Sequence, residues 1–291
     1  MSEAYEPICV ERILVSLDSS PHSFAGLKAA VELAHHYDAK LKGIFIEDST
    51  LLSLAEMPFR QEVGEYTAIV RDISFDGMTR SIFVQSRWVI RTFRKLINQS
   101  DLQGDIAVLR GNVRETIEKE SEKCDLLIIG KTGTNPLGLR RLGSTAKALI
   151  RSQQKSLLLV EEENQLGYPM IVFYDPSPLG QISLETGKDL LDPGETLMVL
   201  INADDPNEME ENKKALRSWA QENSVNISIQ TYKTRAFKRF LEMISGLKTG
   251  LFILPHLKDL EKRPFVEICL ETLSLPVLLV RAPIENNEEQ Q

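Results

Sequence analysis

The sequence predicts an α/β protein made of two doubly wound, mostly parallel five-stranded sheets with flanking helices, repeated in tandem within one chain. Apolar runs rich in β-forming residues alternate with segments whose apolar residues recur at helical spacing, which is the pattern of βαβ units. Runs such as DLLII are apolar without alternation, as in strands that are covered on both faces. The pattern restarts after residue 167, where VFYDPSP repeats VSLDSSP and PVLLV later repeats SLLLV.

The first copy contains the signals for five strands joined by helices. We expect strands at 12–18, 40–47, 104–111, 124–130 and 155–161, and helices at 19–39, 113–123 and 144–152. Helices of this length between parallel strands give right-handed crossovers, which places the helices on both faces of the sheet.

Residues 49–100 lengthen the first copy and are too many for a bare loop. Apolar residues at helical spacing predict a long helix over about 77–99, preceded by an irregular or short helical piece. Its basic residues resemble a nucleic-acid face, but the solvated flank of a helix is the better interpretation; they are Arg80, Arg87, Arg91, Arg94 and Lys95.

The second copy repeats the order of elements in fewer residues. We expect strands at 168–175, 195–203, 226–233, 249–256 and 275–282, with helices at 176–192, 207–224, 236–248 and 265–273. The polar stretch 161–167 predicts a linker, so the domains are expected at 1–163 and 168–284. Residues 284–291 have almost no apolar content and are interpreted as a frayed tail.

Composition excludes several classes of protein. A net charge of −8 argues against a general nucleic-acid or membrane-surface binder, which would favour a basic face. No apolar run approaches the roughly 18 residues of a membrane helix, and the start has no signal-peptide design, so we expect a cytoplasmic protein. Cys9, Cys124 and Cys269 share no metal-like spacing, so no metal site is expected, and the apolar surroundings of Cys124 and Cys269 favour small core residues.

The segment GKTGTNPLGLRRLGSTAK, from residue 130, combines glycines, hydroxyls and positive charge at the end of the fourth strand. Ligands of open parallel sheets lie outside the carboxyl ends of the strands, and a helix N-terminus attracts anions. Gly143 and Ser144 stand where the next helix begins, and Ser144 or Thr145 can donate to a ligand or cap that helix. The segment is not a P-loop, because no lysine follows Gly143, and the dinucleotide pattern GxGxxG is absent.

The spacing Gly130-x2-Gly133-x9-Gly143-Ser144 resembles that of the universal stress protein family, as do the strand ending in Asp18 and the closing LLLV strand. The resemblance covers nearly all of 12–161 outside the insertion and, more weakly, 168–282. It implies the adenine nucleotide alpha hydrolase-like fold in two tandem domains.

The family resemblance also implies a ligand, an adenine nucleotide and usually ATP, with or without Mg²⁺, in the first domain. Asp18 would meet the adenosine and Ile46 the base, largely through its backbone. The ribose and phosphates would be held by Gly130, Gly133, Gly143, Ser144 and Thr145. Asp18 as a helix cap remains an alternative, and Lys131, Arg140 and Arg141 are candidates to offset phosphate charge.

The family's strand order, 3-2-1-4-5, places the fifth strand at a sheet edge. SLLLV and PVLLV are apolar on both faces, and an uncovered apolar edge invites aggregation. The resemblance therefore implies antiparallel pairing of the two fifth strands as an intramolecular pseudo-dimer, and homodimerisation is a further candidate.

The second copy departs from the family pattern. No glycine follows LFIL, Pro255 stands where Gly130 stood, and Asp259 and Glu261 add charge that would repel phosphate. Asp175 is retained, but we do not expect this domain to bind ATP in the family manner. A scaffold, a pairing surface and a pocket for a different ligand all remain open for it.

The first site offers a carboxylate, hydroxyls and backbone donors, but no Walker-type lysine, metal-ligand cluster or nucleophile elbow, so no catalytic residue is assigned. A regulatory ATP-binding protein of the stress response is favoured over an enzyme. The alternatives are a slow ATP hydrolase or phosphotransferase, and a structural interaction protein with an empty pocket.

Overall fold

The structure, a computed structural model, describes residues 5–55, 61–63, 70–72, 75–132, 142–162, 164–255 and 264–281. The chain divides into two compact units, and each is described by itself. Glu11–Ser152 form the amino-terminal unit, and Gln153–Gln291 together with Met1–Val10 form the carboxyl-terminal unit.

The amino-terminal unit is a parallel sheet with helices between its strands. Its elements are β1 (Arg12–Leu17), α1 (Pro21–Tyr37), β2 (Lys40–Asp48), α2 (Ser49–Ala55), β3 (Gln61–Val63), β4 (Val70–Asp72), α3 (Phe75–Gln99), β5 (Gly104–Gly111), α4 (Val113–Ser121), β6 (Leu126–Gly130) and α5 (Ser144–Ser152). Parallel pairing gives the order β5-β2-β1-β6. β1 and β6 are buried nearly throughout, as their unbroken apolar runs predict.

The carboxyl-terminal unit repeats this plan and adds one antiparallel strand. Its elements are β7 (Ser156–Val160), β8 (Gln165–Phe173), α6 (Pro178–Asp189), β9 (Thr196–Asn202), α7 (Pro206–Glu222), β10 (Asn226–Tyr232), α8 (Thr234–Ile244), β11 (Thr249–Pro255), α9 (Pro264–Thr272) and β12 (Val277–Val280). The strand order is β10-β9-β8-β11-β12-β7, with every pair parallel except β12–β7. The predicted α/β class with parallel-dominated sheets is confirmed.

β7 and β12 are the two predicted fifth strands, and they pair antiparallel as expected. Leu158 lies opposite Leu278, and both side chains are fully buried. This ladder is why β7 belongs to the carboxyl-terminal compact unit, whereas the sequence pattern placed it in the first domain. The polar stretch 161–167 is also shorter as a linker than expected, because β8 already begins at Gln165.

Both units contain the same strand–turn–helix arrangement, β1 to α1 in one and β8 to α6 in the other. The N–H of Ser20 donates to Asp18 Oδ1 at 3.0 Å, and the N–H of Ser177 donates to Asp175 Oδ1 at 2.9 Å. Ser20 and Ser177 then cap α1 and α6, each accepting an N–H three residues on. The segments VSLDSSP and VFYDPSP therefore share their hydrogen bonds as well as their sequence pattern.

The insertion contains the expected long helix, α3, which buries Val89, Phe93 and Ile97. The ring of Phe93 lies so close to β2 that a Cβ at Gly43 would come within 2.8 Å of it. α2 is the predicted short helical piece, but the antiparallel pair β3–β4 was not predicted, because three-residue strands are too short to display an alternating pattern.

The side chains of the predicted basic flank of α3 are exposed, in agreement with its interpretation as a solvated face. Cys124 and Cys269 are buried core residues, as expected, while Cys9 is exposed. Within the described ranges, no helix has the length and apolarity needed to cross a membrane.

Candidate functional site

A cavity of about 140 Å³ opens at the carboxyl ends of β1 and β6 in the amino-terminal unit. We call it the glycine cavity. Its lining comes from the ends of these strands and from the starts of α1, α4 and α5, and consists of Ser16, Asp18, Ser23, Val113, Ile117, Ile129, Gly130, Thr132, Gly143, Ser144, Thr145 and Ala146. Five of the predicted site residues are thereby brought together, as the position of ligands in open parallel sheets suggests: Asp18, Gly130, Gly143, Ser144 and Thr145.

Asp18 is held in a tight turn at the end of β1. Ser19 adopts a left-handed conformation with φ of 65°, which turns the chain so that Asp18 accepts from the N–H of Ser20. Because Ser20 is the capping residue of α1, the alternative role of Asp18 as that cap is not observed. The Asp18 side chain is exposed and lines the cavity, with its Oδ1 bonded within this turn.

The start of α5 forms another part of the wall. The N–H of Gly143 donates to the Lys131 carbonyl at 3.0 Å, and the Gly143 carbonyl accepts from the N–H of Lys147 at 2.9 Å. Gly143 therefore occupies the cap position, and Ser144 and Thr145 lie inside the first turn. Their amides have no acceptor within the helix, and the helix dipole adds partial positive charge there.

Gly130 has a packing role as well as a place in the cavity. A Cβ at this position would lie 3.0 Å from the Cβ of His22 and 3.4 Å from the backbone nitrogen of Ser23. The bare backbone thus lets the first turn of α1 approach the end of β6. A side chain at Gly130 would displace α1 as well as any ligand.

His22 and Thr132 form a contact that the sequence did not reveal. Thr132 Oγ1 lies 2.9 Å from His22 Nε2, and Thr132 is only 8% exposed. His22 is half-buried. The two residues are 110 positions apart, so no local pattern joins them.

Val113 and Ile117 were also missed as lining residues. They stand one turn apart in α4 and supply an apolar wall together with Ile129. Their signal was present in the sequence, because α4 begins directly after the carboxyl end of β5, where helix starts face the ligand side of such sheets.

The remaining candidates lie elsewhere or outside the described residues. Ile46 is half-buried on β2, paired with Leu109 of β5, and is not among the lining residues. Lys131 is 2% exposed, and its carbonyl accepts from the N–H of Gly143. Gly133, Arg140 and Arg141 fall in 133–141, outside the described residues.

A hydrogen bond joins α4 to the end of α5. The Glu118 carboxylate in α4 accepts from the hydroxyl of Ser152 at the end of α5 and, at 2.9 Å, from Arg114. These bonds favour the ionised form, so the Ser152 hydroxyl, and then Arg114, hold the pKa of Glu118 below its ordinary value. The lining of the cavity itself combines the Asp18 carboxylate, the apolar wall of Val113, Ile117 and Ile129, and the positive start of α5.

Comparison with known proteins places this chain in a family. The model of the Universal stress protein family matches residues 10–161, more than half of the chain. A universal stress protein of Methanocaldococcus jannaschii is 21% identical over 154 residues, which cover 52% of this chain and 82% of that protein.

Solved structures agree with the fold along nearly the whole chain. A universal stress protein from Archaeoglobus fulgidus superposes with a TM-score of 0.68 at 13% identity, covering 93% of this chain and 98% of that one. A putative universal stress protein from Pseudomonas aeruginosa superposes with a TM-score of 0.60 at 14% identity, covering 94% and 93%. The likeness of fold therefore extends beyond residues 10–161, and the chain belongs to the universal stress protein family.

Proposed function

We propose that this protein is a cytoplasmic, ATP-binding regulatory protein of the stress response, with two tandem domains and one nucleotide held in the glycine cavity as a switch or sensor. The observation that carries the proposal is the start of α5, where Gly143, Ser144 and Thr145 present backbone and hydroxyl donors beside the carboxylate of Asp18. Such a helix start is an anion site, and the resemblance to nucleotide-binding family members supplies the identity of the anion.

The chemical groups that line the cavity complement the phosphates, the adenosine hydroxyl and amino groups, and the base of ATP. The positive start of α5 suits the phosphates, and the hydroxyls of Ser144 and Thr145 add donors. Asp18 suits the hydroxyl or amino groups of adenosine, to which a carboxylate offers strong acceptors. Val113 and Ile117 offer apolar surface to the base. Mg²⁺, where present, would be held mostly by the phosphates and water.

Regulation is favoured over catalysis by the arrangement of the lining. A phosphoryl-transfer site needs a positioned base or nucleophile and clamps on the transferred group. Among the described lining residues, Asp18 is exposed and its Oδ1 is occupied by the turn, and Thr132 is hydrogen-bonded to His22. These features support holding a nucleotide more than turning it over.

Two substitutions at matched positions test the site. Asp18→Asn keeps the oxygen that accepts from Ser20 but removes the charge, so ATP affinity should fall about 10-fold, the usual worth of one charge-assisted hydrogen bond. Asp175→Asn makes the same change in the same turn of the other unit and should leave ATP affinity unchanged.

The measurement is calorimetric titration of nucleotide-free full-length protein with ATP, and mass spectrometry of nucleotide released from freshly purified protein. We expect ATP in both experiments. The proposal is wrong if no adenine nucleotide binds, or if Asp175→Asn lowers the affinity as much as Asp18→Asn. ATP that is bound and turned over rapidly would favour the enzyme instead.

A further inference from the structure

The carboxyl-terminal unit contains a second, larger cavity at the carboxyl ends of its strands. Its volume is about 690 Å³, and its lining includes the last residues of β8, β9 and β10, namely Phe173, Asn202 and Tyr232. We call it the aromatic cavity. Small-molecule sites usually enclose roughly 300–1,000 Å³, so this volume suits a drug-sized or metabolite-sized ligand.

The floor of the aromatic cavity is a cluster of three rings. Tyr232 and Phe237 have ring centroids 4.5 Å apart, and Phe173 lies 5.8 Å from Tyr232 and 6.2 Å from Phe237. All three are nearly buried, with exposed fractions of 4% for Phe173, 8% for Tyr232 and 2% for Phe237. Rings that are fixed by packing offer a ligand both apolar contact and the negative faces that attract cations.

The charged groups of the lining are mostly acidic. Among the described lining residues, Asp175 and Glu208 contribute two carboxylates and Lys238 contributes one ammonium. Burial, followed by the Asp175 carboxylate, raises the pKa of Tyr174, so its phenol adds no charge at ordinary pH. The charges of the described lining residues therefore favour a cation over an anion.

One of the helix starts at this cavity, that of α7, already has an anionic partner. Asp205 caps α7, and its carboxylate accepts from the N–H groups of Asn207 at 2.8 Å and Glu208 at 3.3 Å. The amides that bind an anion at other helix starts already have an anionic partner here. Within the described part of the chain, Glu208 forms no ion pair, so its charge remains available to a ligand.

We propose that the aromatic cavity binds a small organic cation, an amine with an apolar, ring-containing body. The body would lie on the rings of Phe173, Tyr232 and Phe237, and the ammonium would lie between the carboxylates of Asp175 and Glu208. This site is separate from the nucleotide site and does not depend on it.

Three probes of similar size and different charge test the class of ligand: phenethylamine as the cation, 2-phenylethanol as the neutral analogue and phenylacetate as the anion. They are titrated by calorimetry into the full-length chain with excess ATP present. We expect phenethylamine to bind about 10-fold more tightly than either analogue, and its affinity to fall as salt rises from about 0.05 M to about 0.5 M.

Four variants assign the binding to this cavity. Asp175→Asn and Glu208→Gln should each weaken phenethylamine about 3-fold, as expected for one partly exposed charge contact, and leave 2-phenylethanol unchanged. Their controls are Asp18→Asn in the matching turn of the other unit and Glu211→Gln one turn further along α7, which should bind phenethylamine as the unaltered chain does.

Three results would overturn the proposal: no binding of phenethylamine, equal or tighter binding of phenylacetate, or equal effects of the cavity variants and their controls. Because the readout is amine binding, its failure leaves ATP binding untouched. Weaker ATP binding by Asp18→Asn with amine binding intact would in turn support two separate sites.

Discussion

Asp18 and Asp175 stand in the same turn of two matching strand–turn–helix starts, yet the cavities beside them differ in chemistry. In the amino-terminal unit the wall opposite the carboxylate is a helix start with Ser144 and Thr145. In the carboxyl-terminal unit the cavity has an aromatic floor and a second carboxylate, Glu208. The hydrogen bonds from a backbone N–H to the aspartate carboxylate agree within 0.1 Å in the two turns, so the turn does not cause the difference.

The comparison separates what the fold determines from what the side chains determine. Parallel strands and right-handed crossovers place a cavity at the carboxyl ends of the strands in both units. The residues that follow each strand then decide whether an anion or a cation is attracted. A shared fold is therefore a guide to where a ligand binds, but not to which ligand it is.

The largest effect is expected from a charge placed in the β7–β12 pair, which tests whether the two units can be perturbed independently. Leu158→Lys or Leu278→Lys buries an unpaired ammonium where the leucine side chain is at most 1% exposed. The free energy of unfolding should fall by about 4 kcal/mol or more, measured by denaturant titration.

Leu247→Lys is the control for this change, because Leu247 is 37% exposed and should tolerate lysine within about 0.5 kcal/mol. ATP affinity of the folded fraction should change less than about 2-fold in all three variants. Equal destabilisation by Leu247→Lys, or a selective loss of ATP affinity, would contradict the independence of the glycine cavity from this strand pair.

The second-largest effect is expected from a side chain introduced at Gly133, in the glycine-containing segment that follows β6. We expect Gly133→Val to weaken ATP about 100-fold, or about 2.7 kcal/mol, because the family resemblance implies close approach of phosphate to this backbone. Gly246→Val is the control, since space around Gly246 is open. Calorimetry that finds unchanged affinity in folded Gly133→Val would remove Gly133 from the site.

The hydroxyls at the start of α5 should contribute less than the glycine. Ser144→Ala and Thr145→Val each remove one donor, so ATP affinity should fall about 3- to 10-fold, as for one hydrogen bond. Thr234→Val alters a helix start that lines the aromatic cavity instead, and ATP titration of this control should match the unaltered chain. A larger loss with Thr234→Val than with Ser144→Ala would reverse the assignment.

The smallest effect concerns the carboxylate that joins the two helices of the glycine cavity. Its hydrogen bonds lower the pKa of Glu118, so the stability they supply is present above the ordinary Glu pKa and is lost as pH falls through the lowered value. Glu118→Gln should cost about 0.5 kcal/mol near pH 7, and the difference should vanish in acid.

Unfolding free energies of Glu118→Gln and the unaltered chain, measured from about pH 7 down to about pH 3.5, test this dependence. Glu122→Gln, on an exposed neighbour, serves as the control and should show no pH-dependent difference. A gap that stays constant, or widens as pH falls, would contradict a lowered pKa of Glu118.

The sequence predicted the long elements well, because their signals repeat over many residues. α3 was expected over about 77–99 and spans Phe75–Gln99, and the strand 104–111 was predicted to the residue. The strand order was also predicted correctly, but from the family resemblance and not from the residue pattern. β3 and β4 escaped prediction because a strand of three residues contains too few alternations to stand out.

Those residues of the candidate site were predictable that follow from one rule, namely that ligands of open parallel sheets lie at the carboxyl ends of the strands. Asp18 and Ser144 follow from the carboxyl ends of strands and the start of a helix. The bond between His22 and Thr132 depends on how closely α1 approaches β6, which the spacing does not report. The aromatic floor joins rings from β8, β10 and α8, and such a cluster is invisible until the strands are aligned.

The stoichiometry of ATP binding tests the contrast between the two cavities most directly. Nucleotide-free full-length protein is titrated with ATP by calorimetry, alongside Asp18→Asn and Asp175→Asn. We predict one ATP per chain, weakened by Asp18→Asn and unaffected by Asp175→Asn. Two equivalent ATP sites per chain, or a single site that is weakened by Asp175→Asn instead, would contradict the assignment of the nucleotide to the glycine cavity.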